Sequence, residues 1–187
     1  MQESGNLSLL ESIGIKPDYM DLYVGLEKGW MHERKLYDYL NRYEDKANED
    51  LIVNIYVAEN EGKDSILKNL RALTDRVYSE ENFKENYNQS KRKWILAFLF
   101  SIYTSNETEK EKNDEILKLE VKIFQSPSAD TEFTKAYYDW DEFIEYPWAG
   151  DGKHDGVNFE KLTEYLIKHE KELPLEYINK GFKKVSK

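Results

Sequence analysis

The chain has 187 residues, no cysteine and a formal net charge of −10 with a pI near 4.9. That length fits one domain able to bury a sizeable core, and the missing thiols exclude disulfide frameworks, thiolate metal sites and cysteine nucleophiles. An acidic surface is repelled by phosphate backbones, so direct nucleic-acid binding is not expected, and the charge favours solubility and attraction to basic partners.

The opening MQESGNLSLLESIG has neither a basic start nor an apolar run, and it is not expected to act as a signal peptide. Lys16-Pro17-Asp18 reads as a helix start with proline in the first helical position. Leu22, Leu26 and Tyr23 would face inward, Gly29 would stop the helix, and Trp30 would plug the joint. Leu36, Tyr39, Leu40 and Tyr43 repeat at helical spacing.

Asn48-Glu49-Asp50 resembles an N-cap followed by acids in the first turn. Residues 48–58 then allow helix or strand, because LIVNIYVAEN is rich in β-branched residues. Helix is preferred, since no other strand is evident to pair with it. Ile66, Leu70, Leu73 and Val77 make a stripe through 64–78, and 79–90 reads as a polar connection or a frayed helix.

The most apolar run, WILAFLFSIY at 94–103, is about half the ~20 residues that span a bilayer, so a buried helix over 91–104 is expected and no membrane segment. Lys91, Arg92 and Lys93 before it read as a solvated helix start. Ile116, Leu119 and Ile123 mark a helix over 107–125 whose mixed charges, NETEKEKNDE, suit a solvated face. After Ser126-Pro127-Ser128 a helix is expected from about 130 to 145, then a loop with Pro147, Gly150, Gly152 and Gly156. Asn158 would cap a helix through Leu162, Leu166 and Ile167, Pro174 would precede a last short one, and 183–187 would be a loose tail. These elements predict an all-α fold, a single domain over 1–187 of about seven to nine helices, as an irregular bundle or a short superhelical array.

Two stretches carry a resemblance. They are DLYVGLEKGWMHERKLYDYLNRY at 21–43, running on into LIVNIYVAENEGKDSILKNL, and KWILAFLFSIY at 93–103. The order and spacing of Leu22-Tyr23, Gly25, Gly29-Trp30, Tyr39 and Lys93-Trp94 resemble a bacterial family of uncharacterised-domain proteins. Some members of that family resemble immunity proteins of polymorphic toxin systems, which neutralise a toxin made by the same or a sister cell. The resemblance covers the first two-thirds of the chain; its motifs are mostly structural positions, so they carry fold better than function, and the immunity-like members imply a toxin inhibitor as one role. Beyond a Tyr-Pro at 146–147 the C-terminal third departs from the pattern, and no functional residue is carried over.

Signals for chemistry are sparse. His32, His154 and His169 lie in separate segments, and His32 opens HERK rather than the HExxH of a zinc protease. Asp151, Lys153 and Asp155-Gly156 echo a calcium loop, but a lysine replaces one ligand and Leu162 stands where the bidentate glutamate belongs. Asp151 and His154 supply only two ligands for a transition metal. No nucleophile elbow, phosphate loop or dinucleotide fingerprint occurs, so no catalytic residue, cofactor or metal is assigned.

The stretch YYDWDEFIEYPW at 137–148 is half aromatic and one-third acidic, with no basic residue. On a helix, Phe133, Tyr137, Trp140 and Ile144 would form a core stripe, and the plain reading stops there. It leaves Tyr138, Asp139, Asp141, Glu142 and Glu145 facing outward, with Tyr146 and Trp148 at the exit. Aromatic anchors beside uncompensated carboxylates suit an interface with a basic protein such as a toxin domain. The leading expectation is therefore a cytoplasmic binding protein that uses this surface. The alternative is a small enzyme or ligand-binding domain with its site near the 146–157 loop.

Overall fold

The computed structural model describes residues 7–12, 15–43, 45–124, 144–145 and 156–168. The fold is all-α. Among the described residues there are eight α-helices: α1 Ser8–Ser12, α2 Tyr19–Glu27, α3 Glu33–Arg42, α4 Glu49–Ala58, α5 Lys63–Tyr78, α6 Phe83–Thr104, α7 Glu109–Phe124 and α8 Phe159–Lys168. Short 3-10 turns at Lys46–Asn48 and Glu59–Glu61 flank α4. The chain groups into two compact units, Met1–Ile95 and Leu96–Lys187, and the division falls inside α6.

In the first unit, α2 begins with a capping box. The Asp18 carboxylate accepts the Asp21 N–H at 2.9 Å, and the Asp21 carboxylate accepts the Asp18 N–H at 3.1 Å. Asp18 is thus the N-cap, and Pro17 stands one position outside the helix rather than in its first turn. A side chain able to cap outcompetes proline's preset φ in fixing where the helix starts. At the other end Gly29 adopts φ +68°, while the N–H groups of Gly29 and Trp30 close on the carbonyls of Leu26 and Gly25. This left-handed glycine cap turns the chain and drives Trp30, 2% exposed, into the core.

Residues 49–58 are helix, not strand: Ile55 and Ala58 face the core, and α4 packs on α5. Asn48 adds no side-chain cap; its amide donates to Asp45 Oδ2 at 2.8 Å within the 3-10 turn. On α5, Ile66, Leu70 and Leu73 are buried as the stripe predicts, and Val77 is 45% exposed. Thr74 is buried instead, its hydroxyl satisfied by the Arg71 carbonyl at 2.7 Å. The polar 79–90 segment is largely helical, since α6 starts at Phe83 and runs unbroken into the apolar stretch.

In the second unit, Leu96, Ala97, Leu99, Ile116, Leu119, Leu162 and Tyr165 are buried. Thr108 and Glu111 cap the start of α7 reciprocally, and Asn158 Oδ1 accepts the Lys161 N–H at the start of α8. The Tyr103 and Thr163 hydroxyls share a hydrogen bond of 2.8 Å. One small departure from helix is present. Strand β1 Ile144–Glu145 pairs antiparallel with β2 Gly156–Val157, Ile144 opposite Val157 and Glu145 opposite Gly156. Residues 144–145, expected as the end of a helix over 130–145, and residues 156–157, expected as the end of the 146–157 loop, are strand instead, and the rest of both segments lies outside the described residues. β-Branched Ile144 suits a strand.

Candidate functional site

The described residues contain one buried polar centre, built where α2 meets α6. Asp21 is fully buried. Its Oδ2 accepts the Asp18 N–H and the Lys93 ammonium, the latter at 3.0 Å, and the same ammonium reaches Asp18 Oδ2 at 3.0 Å. One turn before Lys93 sits Ser90, 1% exposed. Asp21 Oδ1 and Ser90 Oγ are both buried and close no hydrogen bond, although the Ser90 hydroxyl is near enough to favour the carboxylate. Tyr39 donates to the Pro17 carbonyl at 2.6 Å, just ahead of the cap.

Electrostatics follow from this geometry. Burial, then the neighbouring Asp18 charge, pushes the Asp21 carboxyl up, while Lys93 pulls it back. Desolvation opposes the Lys93 ammonium, yet the charges of Asp21 and Asp18 outweigh it and raise its pKa. Burial raises the Tyr39 phenol to about 12, assisted by Tyr43 and the two aspartates. Burial and the Asp18 charge likewise raise Tyr78.

Ser90 and Lys93 stand three residues apart on one helix, a spacing at which a neutral lysine can activate a serine nucleophile. Here two carboxylates hold the lysine protonated, and Ser90 is sealed from solvent. The arrangement fits an interlock rather than a reaction centre. The next residue completes it: the Trp94 indole N–H donates to the Asp21 carbonyl at 3.0 Å, and its ring lies 6.4 Å from that of Trp30. A Cβ on Gly25 would come within 2.6 Å of Trp94 Cζ2, so the tryptophan seats against bare backbone. Gly25, Trp30, Tyr39, Lys93 and Trp94, noted in sequence for their spacing, thus converge on one structural node.

Of the seven interface residues expected from sequence, only Glu145 lies among the described residues, in β1 opposite Gly156. Tyr138, Asp139, Asp141, Glu142, Tyr146 and Trp148 fall outside them, as do Asp151, His154 and His169. His32 is exposed at the N-cap of α3 and makes no capping bond. Among the described residues no group of three histidines or acids is placed to share a metal, and no helix is long and apolar enough to cross a membrane.

Sequence reading missed one surface. On α4 the positions facing solvent are Glu49, Asp50, Val53, Asn54 and Val57, with Val53 and Val57 51% and 59% exposed. The helix contains no basic residue. Arg76 of α5 pairs with Asp50 through two hydrogen bonds of 2.6 and 2.9 Å. Beside this face the rings of Tyr37 and Tyr56 stack at 5.4 Å.

No family model, no curated protein and no solved structure matches the chain.

Proposed function

We propose that this chain is a non-enzymatic cytoplasmic binding protein that captures a basic protein, in the manner of an immunity protein blocking its cognate toxin. The observation that carries the proposal is the cation-free stretch YYDWDEFIEYPW in a chain of net charge −10. Carboxylates on Asp139, Asp141, Glu142 and Glu145 would steer a basic partner, and Tyr138, Tyr146 and Trp148 would supply the buried anchors. The family resemblance of residues 21–43 and 93–103 points the same way.

The test is affinity capture from the cells that make the protein, comparing the parent with an Asp141→Lys, Glu142→Lys, Glu145→Lys variant and identifying the captured protein by mass spectrometry. A basic polypeptide held one-to-one by the parent and lost by the variant supports the proposal. Equal capture by both would move the interface elsewhere, and no stoichiometric partner would remove the reading's central requirement.

A further inference from the structure

We infer that residues 79–89, the joint after α5 and the opening turns of α6, form a strap that opens as one unit while the rest of α6 stays in place. The inference stands on the fold alone, so the capture experiment judges the binding-protein reading separately.

The first observation is the joint itself. Ser79 holds φ 62° and ψ 151°, and among the described residues it is the one non-glycine with positive φ. A side chain crowds the backbone there, so the region belongs almost to glycine alone, and another residue persists in it only where its surroundings impose the geometry. The Ser79 hydroxyl gains little in return, accepting the Asn82 side-chain amide at 3.2 Å in an exposed contact. The geometry is imposed from both sides. Behind the joint, the Ser79 N–H closes the last turn of α5 on the Asp75 carbonyl at 3.1 Å, and buried Leu70, Leu73 and Thr74 fix that helix. Ahead of it, α6 is seated through its rings.

The second observation is how shallow that seat is. Residues 79–89 are all exposed or half-buried, and Ser90 is the first buried side chain of α6, with Trp94 the next. Phe83 and Tyr87, one turn apart, stack at 5.8 Å, and Tyr23 of α2 meets them edge-on at 5.8 and 6.3 Å. The Arg71 guanidinium of α5 lies over the Phe83 ring, and the Tyr87 hydroxyl donates to Glu27. From Lys93 onward the helix is held by the Asp18–Asp21 node and by buried Trp94, Leu96, Ala97 and Leu99. A helix that rests first on half-exposed rings and then in a core has two levels of stability, and the shallower part opens at the lower free energy. Opening releases Ser79 from its imposed φ, so the strain at the joint favours the open state. It also uncovers Tyr23 and Glu27 of α2.

Amide hydrogen exchange on the full chain, read residue by residue by NMR where exchange reports the opening equilibrium, tests this. The amides of residues 86–89 should share one opening constant, about tenfold or more above that of residues 96–99. Ser79→Gly and Ser79→Ala both lack the hydroxyl and differ in their tolerance of positive φ. The glycine variant should open its strap about fivefold or more less often than the alanine variant, despite glycine's greater freedom in the open chain. Phe83→Ala removes the ring that Tyr23, Tyr87 and Arg71 share, and should raise strap opening about tenfold while leaving residues 96–99 unchanged.

A smooth gradient of protection along α6 would mean ordinary fraying and would overturn the inference. So would one opening constant common to residues 86–89 and 96–99, or equal acceleration of both by Phe83→Ala. Glycine and alanine variants that open alike would overturn the role of the strained joint.

Discussion

Replacing Lys93 with methionine probes the node directly, because it keeps the aliphatic stem and deletes the charge. Breaking a buried ion pair from one side costs about 3–5 kcal/mol. Asp21 is fully buried, but the Lys93 side chain keeps 28% of its exposure and that of Asp18 39%, so water shares part of the loss and about 2–3 kcal/mol is expected. The pH dependence carries the sharper information. Asp21 already has a raised pKa in the fold, so its contribution is most favourable below its unfolded value of 3.8 and is lost as pH rises through the folded value. Without Lys93 the folded value rises further. The variant should therefore be most destabilised at neutral pH and approach the parent near pH 4. Lys93 itself has a raised pKa, so the parent keeps that lysine's contribution up to about pH 10.5 and loses it above. Urea unfolding across this range reads the effect as a midpoint shift of about 1 M at neutral pH, taking an m-value of about 2–3 kcal/mol/M. The double variant Asp21→Asn, Lys93→Met should recover about 1–2 kcal/mol, as expected for groups in direct contact. A loss that is constant from pH 4 to neutrality, or a double variant no better than the single, would refute the interlock.

Gly25→Ala should destabilise by about 1–3 kcal/mol despite alanine's better helix propensity, because the new Cβ meets Trp94 Cζ2 at 2.6 Å and Met31 Cβ at 3.1 Å; thermal melting reads the sign. Tyr39→Phe leaves the buried Pro17 carbonyl without its 2.6 Å donor and should cost about 1–2 kcal/mol in chemical unfolding. The Tyr39 phenol is raised from 10.0 to about 12, so its contribution holds below pH 10 and is lost as pH climbs toward 12. Alkaline unfolding followed by phenolate absorbance should show that loss in the parent and a reduced one in Tyr39→Phe.

How much of this could be read in the sequence depended on range. The helix stop at Gly29 and the buried run after Trp94 are local signals, and both are where the residues place them. Asp18-x-x-Asp21 is a capping pattern that reading missed, because Pro17 beside it offered a competing start. The pairing of Lys93 with aspartates 72 and 75 residues away has no local signature, and Lys91, Arg92 and Lys93 look like any solvated cluster. On α4, seven of ten residues in LIVNIYVAEN are apolar, so periodicity could not separate core Ile55 and Ala58 from exposed Val53 and Val57. The positions of α3 and α5 against α4 decide which side is covered.

Association kinetics test the binding claim most directly. With the captured basic partner purified, the rate of association with the full chain is measured against ionic strength by stopped-flow fluorescence. Steering by an acidic surface should give a one-to-one complex whose on-rate falls about tenfold or more between low and physiological salt, and falls further with the Asp141, Glu142 and Glu145 lysine variant. An on-rate indifferent to salt and to that variant, or chemical turnover of the partner in place of a stable complex, would contradict it.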